Sequence, residues 1–453
     1  MANPDHYIAV IGGAVSGAEA AHQLTQKGIK VAVFEQNNLP YGKIEDGLPK
    51  WHVRLRDKEE DRINRKLNHE MIEYLPGIKL GRDVGFQELA KDWGFSAVLL
   101  ATGAWRDRPL PVKDIDDYKE KGFAYQNSFI YWFNHKHESD YSGPKYEITD
   151  NAIIVGGGLA SLDVAKVFMF EMVQKALEER GHKVSIFDLD RSIAKKLDEL
   201  GLTLKDLGIN GCTIFYRRRI KDMPLSPINT DSPEMLTKAE GIREKIFNHY
   251  QSKYLFHVKP LHIPVDKVVE NGKVTGMVFQ KSEVVDGRVR AIPGSETTYK
   301  SKMVISSIGS LPEQINGIPL DGQIYKIIKK DCCRIEGFDN VFALGNAVTG
   351  RGNIIESLKH GREVSQAVIE AYFEDLDEMR VNPLRDTEKA IDTQIDAITQ
   401  KIASDPILSP EQVEALETRI KNCQAKSGYD GDYPAWIKKH MPSRLETQLG
   451  INH

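Results

Sequence analysis

Two glycine-rich turns are the parts of this sequence whose residue types and spacing indicate chemistry. The first follows the apolar run Tyr7–Ile11 and puts Gly12, Ala14 and Gly17 where a dinucleotide-binding motif has its three glycines. Such a turn brings the backbone close to a pyrophosphate at the start of a helix. Glu35 ends the next strand about 20 residues later, where its carboxylate can bind a ribose hydroxyl. The motif predicts dinucleotide binding, and a plain strand-to-helix turn is the alternative.

The second turn follows Ala152–Val155, and the next strand of its βαβ unit ends in different residues. Its motif residues are Gly156, Gly158, Leu159, Ala160 and Ser161. The next strand ends in Arg217 and Arg218 rather than in an acid. Because the guanidinium fork matches phosphate oxygens, these arginines favour NADP over NAD. The alternative is a solvated basic turn.

Both turns need a strand before them and a helix after them, and the flanking sequence predicts both. Around the first turn, we expect a helix over 18–24 and a strand over 30–35. Around the second turn, we expect a helix over 164–180, an inserted helix over 190–207 and a strand over 212–216. Short alternating segments between 261 and 305 predict antiparallel ribbons.

Two dinucleotide folds in one chain imply two nucleotides that face each other. A single nicotinamide dehydrogenase needs one, so the other nucleotide is expected to be a bound flavin that exchanges hydride with it. No Ser-His-Asp, paired-carboxylate or metal-ligand pattern stands out, and no metal site is predicted. Hydride transfer needs positioning and exclusion of water, and it needs no protein nucleophile.

Five segments, in order along the chain, sharpen this interpretation. They are Pro40-Tyr41-Gly42 with Gly47 and His52, Ser128–Asn134, Gly156–Lys166, Tyr216–Arg218 and Phe342–Ile355. With them the sequence resembles adrenodoxin reductase and related ferredoxin–NADP reductases, and the glutamate synthase small subunit shares much of the pattern. The resemblance spans about residues 7 to 370. It implies an α/β fold with two Rossmann-like dinucleotide-binding domains, similar to glutathione reductase, plus a C-terminal helical extension.

The resemblance assigns residues to both nucleotides. For FAD they are Gly12, Ala14, Gly17, Glu35, Gln36, Tyr41, Gly42, Ala101, Thr102, Gly103, Gly345, Asn346, Gly352, Asn353 and Ile354. For NADP(H) they are Gly156, Gly158, Leu159, Ala160, Ser161, Arg217 and Arg218. Asn346 stands where the wider superfamily has aspartate, and its amide can still bond a ribityl hydroxyl. Gly352, Asn353 and Ile354 are expected at the flavin's pyrimidine edge, with an ordinary helix entry as the alternative.

His52 and Asp163 match a histidine and an aspartate that lie near the flavin in adrenodoxin reductase. The resemblance therefore makes them candidate catalytic residues that deliver or accept a proton. The alternatives are a hydrogen-bonded loop histidine and a carboxylate placed favourably in the first turns of a helix.

The predicted domains are an FAD domain over 1–108 and 332–376, an NADP domain over 109–331, and a C-terminal hairpin and tail over 377–453. In the hairpin, apolar residues recur at helical spacing on both sides of a turn at Ser404–Ser409, and Pro410 fits a helix start. The hairpin either packs on the body or forms a dimer or docking surface. The tail from Tyr429 is expected to be loop-like. The adjacent Cys332 and Cys333 are expected on two faces of one strand, since vicinal disulfides are strained.

Composition limits the partners. The net charge of −4 gives no global basic field for nucleic acid or an anionic membrane, and no apolar run is long enough for a membrane span. The four cysteines show no CxxC spacing, which disfavours a dithiol reductase. The polar start Met1–His6 does not fit a signal peptide, and we expect a cytoplasmic location.

The leading hypothesis is an FAD-dependent NADPH oxidoreductase that exchanges electrons with a ferredoxin-like iron–sulfur protein. Because ferredoxins are acidic, Arg217–Arg219, Lys221 and Lys238 are docking candidates. The second hypothesis is an electron-input subunit of a larger enzyme, like the glutamate synthase small subunit. The third is a redox-sensing flavoprotein with little turnover.

Overall fold

The first half of the fold is a seven-stranded sheet. The computed structural model describes residues 5–225, 232–328, 332–349 and 378–451. The sheet has the strand order β18-β19-β20-β4-β1-β2-β3, and its central strands are parallel. Its strands are β1 (Tyr7–Ile11), β2 (Lys30–Phe34), β3 (Ile72–Leu75), β4 (Ala97–Leu100), β18 (Ile327–Ile328), β19 (Arg334–Ile335) and β20 (Val341–Ala343).

The central strands are apolar because both faces of this sheet are covered. Every residue of β1 is buried, and alternate residues face two separate core clusters. The helices that belong to this half are α1 (Val15–Gln26), α2 (Lys43–Asp46), α3 (Val53–Leu67), α4 (Phe86–Lys91) and α10 (Asn346–Thr349). This parallel sheet with covered faces is the first of the two predicted Rossmann-like units.

The second half is a five-stranded parallel sheet with the order β6-β14-β7-β8-β9. Its strands are β6 (Phe123–Tyr125), β7 (Ile153–Gly156), β8 (Thr213–Tyr216), β9 (His257–Pro260) and β14 (Val304–Ser307). Its helices are α5 (Gln126–His135), α6 (Leu159–Glu178), α7 (Ile186–Arg191), α8 (Ile193–Glu199) and α9 (Pro233–Tyr254), and single 3₁₀ turns lie at Ile115–Tyr118 and Ile220–Asp222. The predicted ribbons are β10 (His262–Glu270), β11 (Lys273–Val285), β12 (Arg288–Ala291) and β13 (Thr297–Lys300), all paired antiparallel.

Two short strands join the halves where the chain crosses between the sheets. They are β5 (Arg106–Asp107) and β15 (Ser310–Leu311), and they pair antiparallel. A separate small hairpin consists of β16 (Leu320–Asp321) and β17 (Ile324–Tyr325). The crossing at β5 lies beside the predicted boundary at 108/109, whereas β15 lies about 20 residues before the predicted boundary at 331/332. The boundaries themselves stay a prediction.

The C-terminal extension packs on the first half, as one of the two alternatives proposed. Its helices are α11 (Glu378–Ile402), α12 (Pro410–Ser427), α13 (Tyr433–His440) and α14 (Leu445–Gln448). The apolar faces of α11 and α12 join opposite core clusters of the seven-stranded sheet. The predicted helical hairpin is therefore confirmed, and its apolar spacing is explained by this packing.

Three local predictions are wrong. The tail contains α13 and α14, because Asp432 caps a helix in which Pro434 occupies the first turn, where its missing N–H costs no bond. The single helix expected over 190–207 is divided, since Ser192 is extended and caps α8. Cys332 and Cys333 both have positive φ, so they form a turn and not a strand.

Within these described ranges, no helix combines the length and apolar character needed to cross a membrane. No group of three or more His, Cys, Asp or Glu side chains in the same ranges could hold a metal ion.

Candidate functional site

The first glycine turn lies at the carboxyl end of β1 and is too tight for larger residues. Gly12 has φ +103°, and a β-carbon there would lie 2.6 Å from the Ala101 carbonyl oxygen. A β-carbon on Gly17 would lie 1.7 Å from the Gly12 carbonyl oxygen. Gly17 therefore lets α1 pack against the strand, while Gly12 makes the turn itself.

Glu35 directly follows β2 beside this turn and is 4% exposed. Its carboxylate accepts hydrogen bonds from the Gly13 amide at 2.8 Å and the Asn37 amide at 2.9 Å. Burial raises the pKa of Glu35 to about 7, although these amide donors favour the ionised form. The carboxylate is thus held in place at the strand end where a ribose hydroxyl would bind.

The residue that departs from the glycine pattern, Ala14, faces the segment Pro40–His52, which is called the flavin loop below. A β-carbon on Gly42, which has φ +52°, would lie 2.9 Å from the Ala14 β-carbon. Next to it, the Tyr41 hydroxyl accepts a hydrogen bond from Asn64 Nδ2 at 3.0 Å, and Tyr433 of α13 donates to Asn64 Oδ1 at 2.9 Å. Alanine is accommodated because glycine stands opposite, and the C-terminal tail holds this loop.

A cavity of about 380 Å³ runs along these elements. The predicted residues in its wall are Gly12, Ala14, Glu35, Gln36, Tyr41, Gly42, Ala101, Thr102, Gly103, Leu159 and Asn346. Gly17 and Gly345 lie behind the wall, where a β-carbon would strike Gly12 and Ser16 respectively. Gly352, Asn353 and Ile354 lie outside the described residues. The lining fits FAD, since it combines a glycine cradle and a carboxylate with apolar and aromatic side chains.

Sequence reasoning missed several wall residues. They are Lys43 and Leu55 from the flavin loop and α3, Trp105 and Glu313 from the crossings, and Leu384 and Thr387 from α11. The last two lie more than 330 residues after the flavin loop, and no local spacing in the sequence places them at a nucleotide site. A helical hairpin with apolar faces was the only available signal.

The second glycine turn is built on β7 in the same way. A β-carbon on Gly157 would lie 2.2 Å from the Tyr216 ring, and one on Gly156 would lie 2.3 Å from the Ser307 carbonyl oxygen. Ser161, in the third motif position, is fully buried, and its hydroxyl bonds Ser307. Gly158 has room for a methyl group, because its nearest neighbour lies 3.9 Å away.

The three arginines after β8 differ in their surroundings. Arg219 forms a bidentate pair with Asp222 at 2.8 Å, and Lys221 pairs with Glu240. Arg217 is exposed and Arg218 partly exposed, and neither side chain has an ion-pair partner within the described part of the chain. Arg217 and Arg218 are thus available for an anion, whereas Arg219 has a structural partner.

His52 and Asp163 are both buried. The Trp51 indole N–H donates to His52 Nε2 at 2.8 Å, which makes that nitrogen an acceptor. Lys166, one turn after Asp163, pairs with Asp190 at 2.6 Å between the rings of Trp51 and Tyr254. Neither candidate catalytic residue belongs to the wall of the cavity as given above, and their proton-transfer role stays a prediction.

Helix α2 is held from two sides. Arg444 of the tail binds Glu45 at 2.6 Å and Glu60 at 2.7 Å, and His135 of α5 binds Asp46 at 3.2 Å. Burial disfavours the charged imidazole, but hydrogen bonds to Asp46 and Glu138 raise the pKa of His135 to about 9. The flavin loop is therefore anchored both to the tail and to the second half of the molecule.

Residues 6–209 match the family described as pyridine nucleotide-disulphide oxidoreductase. A curated relative is the glutamate synthase [NADPH] small chain of Mycobacterium tuberculosis, 24% identical over 368 residues, which cover 80% of this chain and 66% of that protein. Another is the mitochondrial NADPH:adrenodoxin oxidoreductase of Arabidopsis thaliana, 25% identical over 357 residues, with 70% of each chain covered. The chain thus spans about two thirds of the length of these relatives.

Among solved structures, Mycobacterium tuberculosis FprA in complex with NADPH superposes with a TM-score of 0.65. The match has 20% sequence identity and covers 93% of this chain and 91% of FprA. It confirms the predicted fold of two dinucleotide-binding domains. With the curated relatives, it also confirms the resemblance on which the sequence interpretation was based.

Proposed function

We propose that this chain is an FAD-dependent NADPH oxidoreductase that passes electrons between NADP(H) and a ferredoxin-like iron–sulfur protein. One observation carries the proposal. Leu159, in the second glycine turn, lines the same cavity that the first glycine turn and Glu35 open. Two nucleotides bound at these turns would have their reactive ends close together, as hydride exchange requires.

FAD, when bound, supplies the hydride and single-electron chemistry, which no side chain can provide. The chain's own residues would bind and orient the two nucleotides. Glu35 would bind the ribose, Gly12 and Ala14 the pyrophosphate, and Arg217 and Arg218 the NADP 2′-phosphate. Tyr41 and Trp105 exclude water from the cavity, and His52 with Asp163 would hold or move a proton beside it.

The docking site for the acidic partner is proposed at a second cleft of about 1150 Å³. Trp51 and Val53 lie in its wall, and Arg54, Lys183 and Arg191 line it together with the acids Glu178, Asp188 and Asp190. Two of these acids have partners of their own, since Asp190 pairs with Lys166 and Asp188 accepts a hydrogen bond from the Ser185 hydroxyl. These three cations are exposed, whereas Arg219 and Lys221, expected earlier as docking groups, are paired with acids. The first turn of α3 separates this cleft from the FAD cavity, since Val53 lines the cleft and Leu55 lines the FAD cavity.

The test is an anaerobic titration of the purified protein. We expect a yellow protein with bound FAD that bleaches rapidly with NADPH and then reduces an added ferredoxin, with a KM that rises with salt. Arg54→Glu with Lys183→Glu should raise the ferredoxin KM and leave NADPH bleaching unchanged. A colourless protein that takes up no FAD would refute the proposal, and very slow bleaching would favour the redox sensor.

The second candidate function is an electron-input subunit of a larger enzyme. It is favoured by the alignment with a glutamate synthase small chain over 80% of this chain. Co-purification of a large partner at fixed stoichiometry would support it. For either candidate we propose a reducing cytoplasm, because four cysteines in 453 residues are too few for a disulfide framework.

A further inference from the structure

Lys43 is a basic side chain in the wall of the FAD cavity whose role neither the motif nor the fold explains. It begins α2, directly after the Tyr41-Gly42 pair. The other lysine in the wall is Lys79, which pairs with Glu313 at 2.8 Å. No carboxylate of the described residues lies within ion-pair distance of Lys43 Nζ, so its charge has no direct counter-ion there.

The Lys43 ammonium is held by neutral groups from the other half of the molecule. Nζ donates to Asn127 Oδ1 of α5 at 3.2 Å and to Ser310 Oγ of β15 at 3.1 Å. It also lies 5.8 Å from the centre of the Trp105 ring. These partners fix the position of the charge without neutralising it, because none of them is an anion.

Asp107, the acid whose charge acts on Lys43, is also a weaker acid than an ordinary aspartate. Burial raises the pKa of Asp107 to about 6, and its Oδ1 accepts a hydrogen bond from the Asn127 amide. Burial lowers the pKa of Lys43 to about 8, opposed by Asp107. A cation kept partly desolvated without an anion is costly, and such an arrangement indicates a ligand that brings negative charge.

The position of Lys43 along the cavity identifies that ligand. Glu35 belongs to the first half of the molecule, and Leu159 of the second glycine turn shows that the cavity reaches the half from which the nicotinamide must approach. Lys43 extends toward that second half, since Nζ bonds Asn127 of α5 and Ser310 of β15, so its charge lies on the side where the flavin ring must meet the nicotinamide. The anion expected there is the flavin ring, which becomes negatively charged when it takes up hydride.

We propose that Lys43 is a cofactor-binding residue whose ammonium faces the flavin ring and stabilises the negative charge the ring gains on reduction. The proposal rests on the proposed FAD function and places the stabilising positive charge on Lys43 of α2. Because Lys43 Nζ contacts Trp105 and Ser310 from the two crossings, the position of this charge depends on how the two halves are placed.

The test compares FAD-loaded Lys43→Met, Lys43→Arg and Lys58→Met proteins by redox titration and by sulfite binding. Sulfite is the probe because its sulfur bonds to the flavin N5 and leaves an electron pair, and hence a negative charge, on the ring. In Lys43→Met we expect about a tenfold weaker sulfite affinity and a midpoint potential lower by about 30 mV, the equivalent of tenfold for two electrons. Lys43→Arg should retain most of both values. Lys58 is an exposed lysine of α3 outside the cavity wall, so Lys58→Met should equal the wild type.

If Lys43→Met does not load FAD, Asn127→Asp serves as the second variant, since its carboxylate would stand at the 3.2 Å contact and neutralise the ammonium. It should shift sulfite affinity in the same direction. Unchanged sulfite affinity and potential in a folded, FAD-loaded Lys43→Met protein would overturn the proposal while leaving FAD binding intact. Failure of the wild type to bind FAD would instead overturn the proposed function.

Discussion

The two glycine turns are built alike and differ in what covers them. The first opens into a cavity closed by Leu384 and Thr387 of α11, and its strand-end acid, Glu35, is buried. The second turn lies beside a more open strand end, where Arg217 is exposed and Arg218 partly exposed. We therefore expect the covered turn to hold a nucleotide that stays bound and the open turn to hold one that exchanges, because burial slows release.

The largest expected effect comes from filling the space behind the first turn. In Gly17→Ala the new methyl would lie 1.7 Å from the Gly12 carbonyl oxygen, so α1 must move away from β1. We expect a loss of at least about 3 kcal/mol, the upper end for overpacking, together with loss of FAD. Thermal unfolding and flavin content measure both. The matched Gly158→Ala, with 3.9 Å of room, should unfold like the wild type and chiefly raise the NADPH KM.

A second change tests whether the tail belongs to the FAD side alone. Arg444→Ala would leave Glu45 and Glu60 without their shared cation, and burial already raises the pKa of Glu60 to about 8. Breaking a buried pair costs about 3–5 kcal/mol, and protonation of Glu60 should reduce this to about 2–3 kcal/mol. Faster FAD release with an unchanged NADPH KM is expected. An equal change in both would contradict the separation of the two sites.

These C-terminal contacts also mark the limit of what the sequence revealed. Glycine spacing, Glu35 and the paired arginines were readable because each depends on neighbours within one βαβ unit. Asn64, Tyr433 and Arg444 meet only after the chain has folded, and their roles depend on distances that no local pattern encodes. Ala14 was correctly recognised as a departure, but its compensation by Gly42 required the φ and the 2.9 Å approach.

On the open side of the comparison, we expect Arg217→Ala with Arg218→Ala to raise the NADPH KM about a hundredfold, since each charge-assisted bond contributes about 1.5 kcal/mol or more. The NADH KM should barely change, because NADH lacks the 2′-phosphate. Arg219→Ala is the control, as its guanidinium is held by Asp222. Steady-state kinetics with both nucleotides measures the ratio. Equal losses for NADPH and NADH would show that the arginines do not read the phosphate.

The smallest expected effect is a difference between the two nucleotide sites in how their affinity depends on pH. Burial raises the pKa of Glu35 to about 7, so the apoprotein holds a proton there that the unfolded chain, with an ordinary carboxyl pKa, releases near pH 4.5. This contribution to stability is complete below about pH 4.5 and is lost as the pH rises through about 7. A ribose hydroxyl bonds the carboxylate form, so FAD affinity should increase about tenfold between pH 6 and pH 8. Fluorescence titration of the apoprotein measures the slope, and Glu35→Gln should flatten it. NADPH affinity should not follow this curve with its midpoint near pH 7, because Glu35 does not lie at the second strand end. A parallel pH dependence would mean that Glu35 does not distinguish the buried site from the open one.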